Sequence, residues 1–235
     1  MIAAGLLLLA VGGVDLVRQM IRSRRWIALA IAGVALIILS AGLDAVVAGV
    51  LAVAIAAIWT WVLPERGPAR AGLWPVALLA LAAAACVVIA PARARPGLIG
   101  EAWAAYRPGD AVSVDVVLLV VGCLVFLLES GNAVVRIALR SEMGGAPGDE
   151  QAAPTLKGGR LIGPLERILV FVLTLAGAYT LLAAVLAAKG IVRFPEISRD
   201  RDDGDRAEYF LIGSLVSWVT SLAAAFLVWW GVHAG

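Results

Sequence analysis

The chain has 235 residues, of which 62% are hydrophobic and 15% are charged, and its formal net charge is +2. Soluble domains carry about 25% charged residues. This composition, with a mean hydropathy of +0.97, therefore excludes an ordinary soluble domain and indicates a chain that lies in the lipid bilayer. The small net charge gives no general field for nucleic acid, and we expect no nucleic-acid partner.

The sequence predicts an all-α fold, a polytopic transmembrane helical bundle of about seven spans, with six to eight possible. The first span covers about 2–19. Its arginines follow the apolar core instead of preceding it, so we expect a retained helix and not a signal peptide. The run 26–63 is too long for one crossing, and the Gly/Asp break at 40–45 predicts two spans there.

Four further spans and one short helix are predicted beyond residue 70. Spans four and five cover about 73–90 and 112–130, and the stretch GLIGEAWAAY between them predicts a short interfacial helix. Span six is assigned to 168–188, which contains twenty-one uncharged residues, and span seven to 209–235. With these spans, lysine and arginine divide eleven to eight between the two sides. That split favours an N-terminus outside and a C-terminus in the cytoplasm.

A Gly/Pro/Ala-rich segment at 141–159 is predicted to be a flexible loop. Composition divides the chain into an apolar N-terminal region, 1–128, with about five spans, and a C-terminal membrane domain, 129–235, in which polar residues concentrate. The candidate functional side chains therefore lie mainly in the second region.

The stretch ESGNAVVRIALR follows span five and places Glu129, Asn132 and Arg136 on one helical face. One interpretation is a polar strip that points into the bundle or into a cytoplasmic cavity. The other is an amphipathic extension of span five that lies at the membrane interface.

The start of span six carries Glu166 and Arg167. A carboxylate in a first helical turn is stabilised by the helix dipole, and an arginine near a boundary can extend to the headgroups. Alternatively, Glu166 pairs with Arg136 or Arg160, because ionisable groups at a membrane boundary need partners.

Glu166 and Lys189 are separated by twenty-three residues, which is about 34 Å of continuous helix. A single span would place them at opposite boundaries, so the sequence predicts that they do not pair. We instead expect Lys189 and Arg193 to pair with Glu196 or with Glu208, which lies at the start of span seven.

Span seven carries three serines on one helical face, Ser214, Ser217 and Ser221. Small hydroxyl residues allow close helix packing and interhelical hydrogen bonds. A hydroxyl-lined substrate path is the alternative.

We expect no metal and no cofactor. The chain has one histidine and two dispersed cysteines in apolar runs, and it lacks the usual nucleotide-binding patterns. The acidic loop 199–208 fails the calcium-loop pattern, since a glycine at position six puts Arg199 at position one. A noncanonical divalent site remains the alternative to a solvated turn.

Four motifs, GNAVVR (131–136), GRLIGPLER (159–167), AAKGIVRF (187–194) and EYFLIGSLVSW (208–218), resemble a family of uncharacterised bacterial integral membrane proteins that is known as a domain of unknown function. The resemblance covers about 130–220. It implies a multi-pass protein of the bacterial cytoplasmic membrane, and it brings no known activity. The residues that it singles out are Asn132, Arg136, Glu166, Arg167, Lys189, Arg193, Glu208 and Tyr209.

Three functions are compatible with these features. The first is a scaffold or partner-binding component, with a second membrane protein or another copy of the chain as partner. The second is a small transporter or channel. The third is an enzyme for a lipid-linked or phosphate-bearing substrate, in which arginines 136, 160 and 167 hold the phosphate and Glu166 acts as a base.

Overall fold

The computed structural model describes residues 1–21, 24–63, 73–89, 97–106, 112–142, 159–198 and 205–234. Within these ranges the fold is all-helical. The nine helices are α1 (Ile2–Met20), α2 (Arg25–Gly42), α3 (Val46–Val62), α4 (Trp74–Ile89), α5 (Gly97–Tyr106), α6 (Val114–Glu142), α7 (Gly159–Leu175), α8 (Tyr179–Ser198) and α9 (Asp205–Ala234).

The helices of the N-terminal region begin and end close to the predicted boundaries. The run 26–63 divides into α2 and α3 at a short turn, where Asp44 has a positive φ of 53°. The predicted short helix is α5. Helix α6 is longer than span five, because it continues beyond residue 130 to Glu142.

Helices α1 and α6 form the centre of the bundle, and two glycines of α1 allow their close approach. A Cβ on Gly5 would lie 2.9 Å from the backbone of Leu118 and Leu119, and a Cβ on Gly12 would lie 2.6 Å from the backbone nitrogen of Phe126. Backbones this close leave no room for larger side chains. The order of these contacts along both helices shows that α1 and α6 run in the same direction.

The contacts define two ends of the bundle. We name them the Met1 end and the Arg18 end after the two ends of α1. Gly231 of α9 lies beside Met1, so α9 runs antiparallel to α1 and finishes at the Met1 end. Leu63, which follows α3, accepts a hydrogen bond from Arg18 at 3.5 Å, so α3 finishes at the Arg18 end. Helix α5 contacts Gly42 through Ile99 and therefore lies at the Met1 end.

The prediction of a single helix over 168–188 is wrong. Helix α7 stops at Leu175, and the chain reverses through Gly177, which has a φ of +67°. The Gly177 N–H donates to the Thr174 carbonyl at 3.1 Å, and the Ala178 N–H donates to the Leu173 carbonyl at 2.9 Å. This is the glycine-dependent helix stop known as the Schellman motif. Helix α8 then returns beside α7.

Four of the described helices are long and apolar enough to cross a membrane: α1, α2, α6 and α9. Three more helices, α3, α4 and α8, are also apolar, but their apolar stretches are shorter. Length and composition therefore indicate a helical membrane protein, and they do not confirm the predicted count of about seven spans.

Candidate functional site

Asp15 of α1 is the first carboxylate of the chain, and it lies inside the bundle. Its Oδ2 accepts hydrogen bonds from the Ser130 hydroxyl at 2.6 Å and from the Trp59 indole N–H at 3.1 Å. Its Oδ1 lies 3.6 Å from Arg18. The carboxylate therefore ties α1 to α3 and α6.

Arg167 of α7 is 2% exposed, which is rare for an arginine. Its Nε donates to the Leu127 carbonyl at 2.8 Å, and its Nη2 donates to Asn132 Oδ1 at 2.6 Å. Asn132 in turn donates from Nδ2 to Glu129 at 2.9 Å. The expectation that Arg167 extends to the headgroups is wrong, because its guanidinium points into the bundle. The stretch 129–140 had two interpretations, an inward polar strip and an amphipathic extension at the interface. The contacts of Asn132 agree with the first.

The absence of a side chain at Gly131 makes room for the Arg167 guanidinium. A Cβ on Gly131 would lie 2.5 Å from Arg167 Nε and 2.9 Å from its Cζ. The guanidinium therefore packs directly on the α6 backbone, where it reaches the carbonyl of Leu127.

Glu166 binds Lys189, contrary to the prediction that the two residues lie at opposite boundaries. Lys189 Nζ is 2.6 Å from both carboxylate oxygens of Glu166. Glu166 precedes Gly177 by eleven residues and Lys189 follows it by twelve, so a reversal at Gly177 brings them to the same level. The Trp218 indole N–H of α9 also donates to Glu166 Oε1, at 2.6 Å. The alternative pairing of Glu166 with Arg136 or Arg160 gains no support from these contacts.

Two aromatic rings complete the surroundings of Lys189. Its Nζ lies 5.5 Å from the ring centroid of Phe210 and 5.5 Å from that of Trp218. Both distances are within the range of a cation–π interaction. The lysine and glutamate side chains are 23% and 12% exposed, so the pair is largely withdrawn from solvent.

These groups form one connected set at the Arg18 end. Ser130 and Asn132 lie two residues apart on α6, and Glu166 and Arg167 are neighbours on α7, so the three clusters join through these two helices. We name this set the polar layer. It consists of Asp15, Trp59, Glu129, Ser130, Asn132, Glu166, Arg167, Lys189 and Trp218. It links α1, α3, α6, α7, α8 and α9.

Other predicted site residues lie outside the polar layer. Arg136 and Glu208 are exposed. Among the described residues the ion-pair partner of Lys189 is Glu166, and no pair joins Lys189 to Glu208. The side chains of Arg160, Arg193, Glu196 and Tyr209 lie outside the described part of the structure, as does the acidic loop up to residue 204.

The predicted hydroxyl face of α9 is buried. Ser214, Ser217 and Ser221 are 6%, 5% and 0% exposed, and the Ser221 hydroxyl donates to the Ser217 carbonyl at 3.1 Å. Gly213, the residue directly before Ser214, packs beside α6. These contacts agree with helix packing rather than with an open path.

Sequence reasoning missed Asp15, Ser130, Trp59 and Trp218. The signal for Asp15 is present, since an acid within an apolar span needs a partner, and Arg18 follows it by three residues. The two tryptophans carry no comparable signal, because their interior role depends on which helix faces them.

Within the described ranges, no group of three or more His, Cys, Asp or Glu side chains is arranged to hold a metal ion. Cys86 and Cys123 are free thiols, and Cys123 is fully buried.

A scan against protein-family models and searches of curated proteins and of solved structures found no match. The resemblance of 130–220 to a bacterial membrane family therefore stays a prediction.

Proposed function

We propose that the protein is a component of the bacterial cytoplasmic membrane that acts as a scaffold or partner-binding protein. The observation that carries this proposal is the closure of the polar layer. Among the described residues, every buried side-chain nitrogen or oxygen has a hydrogen-bond partner. Polar groups that satisfy one another hold helices in a fixed arrangement, and a fixed arrangement of helices suits a scaffold.

The proposed arrangement in the membrane has six crossings and one hairpin. The crossings are α1, α2, α3, α4, α6 and α9. Helices α7 and α8 enter from the Arg18 end and return to it. The tip at Gly177 lies about 16 Å beyond Glu166, which is about half of a 30 Å hydrocarbon core. The hydrogen bonds of the Schellman motif satisfy tip N–H groups internally, as a bilayer requires.

This arrangement supports a clear orientation. Of the 19 lysines and arginines, only Arg93, Arg95 and Arg107 belong to segments that join helices at the Met1 end, which leaves sixteen for the Arg18 end. Basic residues accumulate on the cytoplasmic side. We therefore place the Arg18 end in the cytoplasm. The Met1 end, where α1 begins and α9 finishes, then lies outside. The eleven-to-eight split arose from treating α7 and α8 as a crossing.

The partner that we infer is a membrane helix that packs on α8. Within the described residues α8 packs mainly on α7, and much of its surface is exposed, including Leu181, Ile191 and Val192 at 60%, 72% and 73%. The exposed alanines Ala183, Ala184, Ala187 and Ala188 would allow a second helix to approach closely. Another copy of the chain or a different membrane protein would fit this surface.

Site-specific photo-crosslinking tests this proposal. A crosslinking residue at Ala187 should give one discrete product in intact membranes, and the same residue at Ile31 of α2, which is 64% exposed, should not. Co-expression of two differently tagged chains shows whether the product is a homo-oligomer. Equal, diffuse crosslinking from both positions would contradict the proposal.

A transporter is the second candidate, and the hairpin that carries the Glu166–Lys189 pair favours it. A helical hairpin that enters and leaves on one side can move as a unit. Purified protein in sealed vesicles that carries a saturable flux, abolished by Glu166→Gln, would support this candidate over the scaffold. The enzyme gains nothing comparable, because Arg167 is buried against Leu127 and Asn132 and does not present its guanidinium to a soluble phosphate.

A further inference from the structure

We propose that Glu166, Trp218 and Phe210 form a binding site for an organic ammonium ion, and that Lys189 is its resting occupant. We name these three residues the ammonium site. The proposal goes beyond the scaffold function, since it assigns a ligand class to one part of the polar layer.

The geometry is that of a cation site. The Lys189 ammonium lies 2.6 Å from each carboxylate oxygen of Glu166, and it lies 5.5 Å from the centroids of both aromatic rings. A carboxylate combined with two aromatic faces recognises alkylammonium and quaternary ammonium groups, because the carboxylate supplies charge and the rings supply quadrupole attraction. The Trp218 N–H fixes the carboxylate by donating to Oε1.

Movement of α8 would let the occupant leave, because within the described residues α8 packs mainly on α7. Lys189 belongs to α8, while the ammonium site belongs to α7 and α9. Helix α8 is joined to α7 through Gly177, around which a Cβ would meet nothing within 4 Å. The Lys189 side chain keeps 23% of its surface exposed. Movement of α8 away from α7 would vacate the ammonium site without disturbing the Arg167 contacts.

The ligand chemistry has two possible sources. One is a soluble amine or quaternary ammonium ion from the cytoplasm. The other is the choline or ethanolamine headgroup of a lipid, since the polar layer lies close to the Arg18 end. Asp15 precedes the end of α1 at Met20 by five residues, or about 8 Å.

Acylation of lysine amines tests the proposal on the whole chain in detergent or in lipid nanodiscs. The chain has only two lysines, Lys157 and Lys189, so mass spectrometry of the peptides reports each rate separately. Tetramethylammonium chloride does not react with the reagent and should displace Lys189. We expect it to raise the acylation rate of Lys189 by about threefold or more over sodium chloride at equal ionic strength, with the rate of Lys157 unchanged.

Variants show whether the effect belongs to the ammonium site. Glu166→Gln should give fast acylation of Lys189 that no longer responds to tetramethylammonium. If Glu166→Gln does not fold, Trp218→Phe serves instead, because it removes the N–H donor to Glu166 and weakens the cation–π contact. Trp229→Phe, on an exposed tryptophan of the same helix, is the matched control and should behave as the unmodified protein does.

Nanodiscs distinguish the two sources. Faster acylation of Lys189 in phosphatidylcholine or phosphatidylethanolamine than in phosphatidylglycerol supports a headgroup, and a response to the soluble ion alone supports a soluble ligand. The proposal would be overturned if the acylation rate of Lys189 were the same in tetramethylammonium chloride and sodium chloride and were also the same in all three lipids.

Discussion

Arg167 lies in an environment that is unusual for an arginine. A buried guanidinium is tolerable only when its N–H groups have partners, and here Leu127 and Asn132 provide them. Its chain neighbour Glu166 faces a different set of partners on α8 and α9. Two adjacent residues of α7 thus fix the position of α7 against three other helices.

Arg167→Lys should destabilise the protein. An ammonium group cannot reproduce the forked geometry that reaches Leu127 and Asn132 together, so one buried acceptor loses its partner. We expect the free energy of unfolding to fall by about 2–3 kcal/mol, measured by denaturant titration in mixed micelles. Arg25→Lys, at an exposed arginine, is the control, and an equal loss for both variants would contradict a stabilising role for the buried hydrogen bonds of Arg167.

The loss of stability caused by a substitution of Asp15 should depend on how many acceptor oxygens the new side chain retains. Asp15→Ala leaves the Ser130 hydroxyl and the Trp59 indole N–H without their acceptor, which costs about 1–3 kcal/mol for each buried group. Asp15→Asn keeps one acceptor oxygen and should cost less. The same unfolding titration measures both variants, and a larger loss for Asn than for Ala would contradict the assigned hydrogen bonds.

At the scale of elements, the α1–α6 contact depends on which glycine faces α6. Gly12 and Gly13 are neighbours on one helix, yet a Cβ on Gly12 would lie 2.6 Å from the Phe126 nitrogen, and one on Gly13 would meet nothing within 4 Å. The pair therefore separates the effect of packing from the effect of helix propensity.

Gly12→Ala should destabilise the bundle by about 1–3 kcal/mol, because the α6 backbone must move away. Gly13→Ala should be neutral or should stabilise by up to about 1 kcal/mol, since alanine is the better helix former. Thermal unfolding followed by the reaction of the buried Cys123 thiol measures both. Similar losses for the two variants would show that α1 and α6 do not pack as described.

The N-terminal helices were predictable from sequence because apolar runs with Gly, Asp or Pro at their ends have one simple interpretation. Span six was not, because an uncharged run of twenty-one residues fits one crossing equally well. Gly177 carried the missing information. Glycine in a membrane helix is common, so only the backbone, with its positive φ, distinguishes a helix stop from a packing position.

The candidate site was also predictable only in part. Asn132, Glu166, Arg167 and Lys189 were recognisable as polar residues in apolar surroundings. Their partners depend on the reversal at Gly177, so the pairing of Glu166 with Lys189 could not follow from spacing along one helix. Trp218 became a partner only through the packing of α9 on α7.

At the scale of the whole molecule, one hairpin decides the topology. If α7 and α8 return to the Arg18 end, segments 143–158 and 199–204 lie on the same side of the membrane, with sixteen of the 19 basic residues at that end. If 168–188 is a crossing, the two segments lie on opposite sides. The orientation, the polar layer and the ammonium site all depend on the first alternative.

Cysteine accessibility in sealed, inside-out vesicles distinguishes these alternatives most directly. In a background with Cys86→Ala and Cys123→Ala, single cysteines replace Ala153 and Arg201, and a membrane-impermeant maleimide reports which positions face the vesicle exterior. If α7 and α8 form a hairpin, Ala153→Cys and Arg201→Cys are both labelled, while a cysteine at Gly235 is labelled only after the membrane is permeabilised. Labelling of Ala153→Cys with protection of Arg201→Cys would contradict the hairpin.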